Sequence, residues 1–303
     1  MNRPIAVLGI PMDLGAGHRG VDMATRSLRI AGLGDKLRAL GFAVRDAGDV
    51  AAPMPETVSA GATTLKFYEE ILATCQLAAE AAGRIVAAGE FPIFLGGDHS
   101  IAIGTIAAAA APVVRSGGRL GLIWFDAHGD FNTPASSPSG NIHGMPLAVV
   151  QGLGDAQLVG LGGFAPKVRP EDTVLIGIRD VDSRERELLR ASGMHIFTMR
   201  AVDELGIREV VTRAIAMATR DTQALHVSFD MDFVDPQYAP GVGTPCPGGP
   251  TYREAHLAME LIADSGRLTS LDLVEVNPIF DERNRTSELA VELILSAVGQ
   301  RIL

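Results

Sequence analysis

Short apolar runs alternate along the chain with longer stretches in which apolar residues recur every three or four positions. The runs fall at Ile5–Ile10, Ala43–Asp46, Pro92–Leu95, Leu120–Phe125, Thr173–Ile178, His195–Thr198, Ala224–Phe229 and Ser270–Val276. Most are near-continuously apolar, the pattern of strands covered on both faces of a parallel sheet. Helices are predicted over Met23–Leu40, Thr63–Ala88, Ile101–Val114, Ser183–Ser192, Val202–Thr219, Tyr252–Asp264 and Arg285–Leu303. A repeated strand-then-helix order implies a central parallel sheet flanked by helices on both sides, a three-layer α/β arrangement. No Pro/Gly/Ser-rich linker divides the chain. Pro134–Gly140 and Pro240–Pro250 read as functional loops, and residues 1–303 as a single domain.

Composition narrows the partners. With 47% hydrophobic residues the chain can build a large core, and with only 5% aromatics it suits small-residue helices packed on a sheet. The formal net charge is −10 and no Lys/Arg run reverses it, which argues against a nucleic-acid partner and leaves acidity available for a cation site. Cys75 and Cys246 lie far apart and form no CxxC pair, as in a reducing compartment. The start, MNRPIAVLGIPM, lacks a signal peptide's apolar stretch and cleavage site. The most apolar run, Ile101–Val114, is too short to span a bilayer and holds Gly104 and Pro112. The expectation is a soluble cytoplasmic protein with no membrane partner.

One apparent motif is set aside. GAGHRG, Gly15–Gly20, fits the dinucleotide pattern GxGxxG, but Pro11–Leu14 separate it from the strand end, and His18 and Arg19 are bulky. It reads as a Gly-rich loop.

The chemistry gathers where strands end, which is where ligands bind in open parallel sheets. PIFLGGDHS ends in Asp98 and His99, GLIWFDAHGD in Asp126, His128 and Asp130, and LHVSFDMD in Asp230 and Asp232. Side chains alternate across a strand, so an extended backbone would put Asp126, His128 and Asp130 on one face, and Asp230 with Asp232 likewise. A strand-end carboxylate alone is most simply a helix cap. Three such segments aimed at one space are better explained by cations, since clustered acids repel. An oxygen-rich set with some imidazole and no Cys exceeds the needs of one zinc and points to Mn²⁺, with Fe²⁺ or Co²⁺ as substitutes. Four carboxylates balance two divalent ions, and two ions sharing carboxylates can activate a water for hydrolysis.

GGDHS (96–100), DAHGDFN (126–132), SGNIHG (139–144), SFDMDFVDP (228–236) and VEVNP (274–278) resemble, in order, the motifs of the ureohydrolases, most closely bacterial arginases. The opening strand, GTPCPGGPTYRE (243–254) and the last helix are similar too. The resemblance implies an arginase-like α/β fold with about eight parallel strands. It implies a binuclear manganese centre that hydrolyses L-arginine to L-ornithine and urea by attack of a metal-bridging hydroxide on the guanidinium carbon. One ion would be held by His99, Asp126, Asp130 and Asp230, and the second by His128, Asp126, Asp230 and Asp232. Asp130 would pass on the hydroxide's proton, His143 would shuttle protons, and Glu275 would orient the guanidinium. Asp98 would position a ligand or cap a helix. A homo-oligomer, trimer or hexamer, is also implied.

The metal motifs are shared with agmatinases and other guanidino hydrolases, so specificity rests elsewhere. The resemblance places the α-carboxylate among Asn132, Ser137, Ser139 and Asn141, with His143 closing the same substrate-binding loop, and the α-ammonium near Asp182 and Glu185. Asp182 and Glu185 also suit a helix N-cap and first-turn acid. This chain departs from the family in carrying Ser183-Arg184 where Pro-Gly is common, which brings a cation to the pocket mouth. Two alternatives remain beside arginase: an agmatinase or other guanidino-compound hydrolase, and a non-catalytic metal-binding homologue. A dinuclear phosphoesterase finds no matching motif.

Overall fold

The apolar runs become strands because both of their faces meet apolar partners. The computed structural model describes residues 3–301. Its strands are β1 (Ile5–Ile10), β2 (Val44–Asp49), β3 (Gly61–Ala62), β4 (Leu65–Lys66), β5 (Phe91–Gly96), β6 (Leu120–Phe125), β7 (Thr173–Ile178), β8 (His195–Thr198), β9 (Ala224–Asp230) and β10 (Leu268–Val274). Eight form one sheet in the order β2-β1-β5-β10-β9-β6-β7-β8, with neighbours parallel. β3 and β4 make a separate two-residue antiparallel hairpin.

Ile5, Val7, Phe91, Ile93, Ile123 and Phe125 face helices Ala24–Ile30, Leu33–Ala39, Ile207–Ala218, Tyr252–Asp264 and Arg285–Ala297. Their neighbours Ala6, Leu8 and Phe94 face helices Tyr68–Ala87 and Ala102–Arg115, and Leu122 and Trp124 pack on the same side. Each fully buried Ile or Leu contributes about 1.5–3 kcal/mol, so two covered faces reward a continuous apolar run. No helix among the described residues is long and apolar enough to cross a membrane.

Several predicted helix bounds are corrected, each by backbone that leaves the right-handed helical region. The helix expected over 23–40 breaks at Gly32 (φ 87), and the one over 202–219 breaks at Gly206 (φ 80) into Met199–Leu205 and Ile207–Ala218. The one expected from Thr63 starts at Tyr68, because the β3–β4 hairpin and Phe67 (φ 53) precede it. The last helix ends at Ala297; Ile302 and Leu303, within its expected span, lie outside the described residues. Short helices Pro146–Val150 and Ala156–Gly160 add to the predicted set.

Gly97 sets how closely the chain passes over β1's end. A Cβ there would stand 1.8 Å from the Met12 carbonyl oxygen, which accepts the Asp98 N–H at 2.7 Å. Gly97→Ala must push the backbone apart, so it is expected to destabilise by about 1–3 kcal/mol and lower Tm by several degrees. A thermal melt showing no change would contradict this crossing.

Candidate metal centre and substrate pocket

β5, β10, β9 and β6 are far apart in the chain but adjacent in the sheet. Because they are parallel, their carboxyl ends share one edge, and the residues that follow them share one crevice.

Past that edge the chain turns at once. Asp98 Oδ1 accepts the Ser100 N–H at 3.0 Å, Asp126 Oδ1 the His128 N–H at 2.7 Å, and Asp230 Oδ1 the Asp232 N–H at 2.8 Å. These are three repeats of one Asx-turn device. The extended backbone expected over 126–130 is therefore corrected. β6 stops at Phe125, and Asp130 takes φ 48, a left-handed conformation that costs a non-glycine residue energy. Capping and ligand geometry turn out to be compatible. In Asp126 and Asp230 one oxygen holds the turn while Oδ2 faces His99.

His99 Nδ1 lies 3.2 Å from Asp126 Oδ2, 3.1 Å from Asp130 Oδ2 and 3.1 Å from Asp230 Oδ2. His128 Nδ1 lies 3.0 Å from Asp232 Oδ2 and 3.5 Å from Asp126 Oδ1. His99, Asp126 and Asp230 form one group able to hold an ion, and Asp126, His128 and Asp232 a second. Asp126 belongs to both, with one oxygen toward each. Donors around a six-coordinate ion at about 2.1 Å stand about 3 Å apart, close to these separations. The oxygen-rich set with two imidazoles and no thiolate fits a divalent cation such as Mn²⁺.

Burial pushes Asp130 up to about 7, with the Asp126 charge adding to it. Burial and the neighbouring Asp232 and Asp126 push Asp230 well above the usual carboxylate range. Burial alone would lower His99 and His128. Hydrogen bonds from His99 to Asp126, Asp130 and Asp230 outweigh it there, and the Asp232 charge with Asp126 does so for His128, so both imidazoles are raised. A cation entering this cluster must displace those protons. Its affinity is expected to fall about tenfold per pH unit for each proton displaced, through the whole neutral range because both imidazoles are raised, and more steeply as pH drops below about 7, where Asp130 also takes up a proton. Calorimetric Mn²⁺ titrations between pH 6 and 8, in buffers of different ionisation heat, check this. A pH-independent affinity with no proton release would contradict it.

Side chains not singled out from the sequence hold this cluster in place. Trp124 stacks on His99 (4.0 Å, 9°) and donates Nε1–H to Asp126 Oδ2 at 2.9 Å. Ser228 Oγ lies 2.9 Å from His99 Nε2. Thr244 donates to Asp232 Oδ2 at 3.1 Å, and Arg179 to the Asp232 carbonyl at 2.7 Å. Trp124 and Ser228 each stand two residues before a ligand, so strand alternation was a usable signal for them. Thr244 lies in the 243–254 segment noted by resemblance, and nothing local marks the target of either Thr244 or Arg179.

Above the cluster opens a pocket of about 160 Å³ whose wall includes Asn132, Ser137, Ser139, Asn141, His143, Asp182 and Glu185, all seven residues expected around the substrate. His143 Nδ1 lies 3.0 Å from Glu275 Oε1, and its backbone N–H donates to Gly15 O at 3.2 Å. Burial alone would lower His143, but Glu275 carries it up to about 9. Glu275 is not on the pocket wall. It backs His143 from a left-handed residue (φ 64), and its Oε1 also accepts the His99 N–H at 3.0 Å. Its buried Oε2 has no hydrogen-bond partner among the described residues.

Asn132 donates Nδ2–H to Asp182 Oδ2 at 3.2 Å and accepts the Ser136 hydroxyl at 2.9 Å, tying the polar loop to the Asp182 segment. Glu185 accepts the Phe131 N–H at 2.8 Å and the Asp182 N–H at 3.3 Å, the latter within a capping box at the start of helix Ser183–Ala191. Burial pushes Glu185 up to about 7. The cap expected of these acids is present, and they also line the pocket. Ser183-Arg184 fits the first turn of that helix. Arg184 does not line the pocket; it donates to the Ala135 carbonyl at 3.2 Å from the exposed surface. Asp98 caps its turn and also accepts the Gly15 N–H at 2.9 Å, so the Gly-rich loop belongs to this site.

Fold and site together define a parallel α/β protein with two His/Asp groups able to hold a cation under a polar pocket. A sequence profile described as the Arginase family matches residues 3–299. "Arginase" of Brevibacillus brevis is 46% identical over 303 residues, covering 100% of both chains. Arginase from Bacillus caldovelox superposes with a TM-score of 0.95 at 46% identity, over 99% of this chain and 100% of that one. Entamoeba histolytica arginase, solved in complex with L-ornithine, gives 0.90 at 31% identity, over 98% and 99%. The chain belongs to the arginase family.

Proposed function

We propose that this protein is a hydrolase that cleaves L-arginine to L-ornithine and urea, using two Mn²⁺ ions per subunit. The observation that carries the reading is Asp126, shared by two ligand groups beneath a pocket that holds hydroxyl and amide donors on one side and acids on the other. The 46% identity to proteins named Arginase over the full chain supports it.

His99, Asp126, Asp130 and Asp230 would hold one ion, and His128, Asp126, Asp230 and Asp232 the other. When bound, the ions neutralise the clustered carboxylates and make water a strong nucleophile near neutral pH. The chain's own groups do the rest. Ser137, Ser139 and Asn141 donate to the α-carboxylate, while Asp182 and Glu185 face the α-ammonium. Asn132 stands between them on the wall. Glu275 stands off the pocket wall and charges His143 from behind; its unpaired Oε2 is the atom that would reach the guanidinium and orient it. Asp130 accepts a proton from the attacking water as oxygen bonds to the guanidinium carbon. His143, raised to about 9 and so protonated near neutrality, gives a proton to the leaving amine as the carbon–nitrogen bond breaks. The chain would act as one domain in a cytoplasmic homo-oligomer, a trimer or hexamer.

Urea release by manganese-loaded protein from arginine, agmatine and guanidinobutyrate tests the proposal. Arginine is expected to be fastest, because donors built for a carboxylate stay unpaired with a substrate that lacks one. A higher rate on agmatine would replace this reading with an agmatinase. Metal binding without turnover of any of the three would replace it with a non-catalytic role.

A further inference from the structure

The pocket wall is strongly acidic. Asp130, Asp230 and Asp232 would be offset by bound cations, but Asp180, Asp182 and Glu185 line it as well, and no Lys or Arg among the described residues does. A substrate carboxylate entering such a wall needs fixed donors and a compensating charge. Ser137 and Ser139 each accept a backbone N–H, from Gly140 at 2.9 Å and Asn141 at 3.2 Å, and lie 3.5 Å apart, so one hydroxyl proton is shared between them and the other is left to give. The remaining donor, the Asn141 carboxamide, would be equally able to present oxygen or nitrogen.

Lys66, on the β3–β4 hairpin 75 residues earlier, removes that ambiguity. Its Nζ lies 3.1 Å from Asn141 Oδ1 in a part-buried contact. An ammonium can only donate, so the atom facing it must be the amide oxygen, and Nδ2 must point elsewhere. Nδ2 has no protein acceptor among the described residues and points toward Gly17, where a Cβ would stand 3.2 Å from it. The hairpin is also seated on the loop through its backbone. The Lys66 N–H donates to Gly140 O at 3.0 Å, and Gly140 (φ 71) lies so close that a Cβ would meet Thr63 O at 1.9 Å. Lys66 is thus the cation held directly against the donor side of the pocket, while Arg184 reaches the same loop only at the exposed Ala135 carbonyl.

We infer that Lys66 is a specificity-determining positioning residue: it fixes the Asn141 amide on the loop that would meet the substrate's α-carboxylate and brings a positive charge to that side of the pocket. The inference rests on the arginine reading above. It makes the hairpin, which no ligand motif marks, part of the device that separates amino-acid from plain amine substrates.

The test is steady-state urea release by manganese-loaded wild type, Lys66→Met and Lys66→Arg on arginine and agmatine. Lys66→Met keeps the stem and the backbone N–H but loses charge and donor. It is expected to raise the arginine KM about tenfold, the usual worth of a charged hydrogen bond, with kcat changed less than about twofold. kcat/KM on agmatine, which lacks the carboxylate, should stay unchanged, so the arginine-to-agmatine ratio falls about tenfold. Lys66→Arg should restore most of the arginine affinity. An unchanged arginine KM in Lys66→Met, or equal losses on both substrates as from a loosened hairpin, would overturn the role of Lys66 while leaving the arginine reading standing. A wild type that prefers agmatine would overturn both.

Discussion

Asp126→Asn is expected to lower urea release by at least about a thousandfold, roughly 4 kcal/mol of transition-state stabilisation, because a single residue serves both ligand groups. Both of its oxygens are already committed. Oδ1 takes the His128 N–H and lies 3.5 Å from His128 Nδ1, while Oδ2 takes the Trp124 indole N–H and lies 3.2 Å from His99 Nδ1. An asparagine must turn its NH₂ toward one of these sides, where it meets another donor. The variant should therefore lose the anionic ligand common to both groups, and either the turn that aims His128 or the acceptor facing His99 and Trp124. Metal content after dialysis should drop together with activity. Circular dichroism and a melt of metal-free protein separate this from misfolding. A folded variant that keeps two ions and wild-type turnover would refute the shared-ligand arrangement.

Glu275→Gln should cost on the order of a hundred- to a thousandfold in kcat/KM, the scale seen when one preorganised charged or polar contact to the reacting group is lost. The amide oxygen of the substituted side chain would still accept the His99 N–H, so the metal groups and the fold should survive. What disappears is the negative charge behind His143 and the unpaired Oε2. The sign of the pH effect follows from the causes. Burial alone lowers the His143 pKa and Glu275 raises it, to about 9 in the wild type. Without the carboxylate, the imidazole loses its proton at lower pH. The activity that depends on protonated His143 lies below its pKa, so the alkaline limb should move to more acidic pH. A pH profile of kcat/KM measures both effects. A wild-type rate with an unmoved limb would show that Glu275 acts elsewhere.

Much of the site was legible in the sequence because its ligands travel in short segments at strand ends. Asp126, His128 and Asp130 announce themselves by spacing, as do Asp230 and Asp232, and all of them meet in the structure. An extended backbone does not carry them to one face; three Asx turns and a left-handed Asp130 do. Left-handed conformations at Asp130 and Glu275 cannot be read from composition, since non-glycine residues enter that region only when surrounding structure compels them. Similarly, periodicity over Thr63–Ala88 suggested one helix, and its first residues instead form the hairpin that bears Lys66. Local pattern could not show that this segment is pressed against Gly140.

By itself the sequence determined the layered α/β architecture and the strand-end segments that carry the clustered acids and histidines. Apolar period, strand-end acids and donor chemistry are local properties, and local properties survive in a string of letters. Only the tertiary structure decided that β5, β10, β9 and β6 stand side by side. It alone brought His99 to Asp230 across 131 residues, to Glu275 across 176, and Lys66 to Asn141 across 75. Strand order and such contacts depend on which buried faces fit one another, a balance summed over the whole core that no single segment carries.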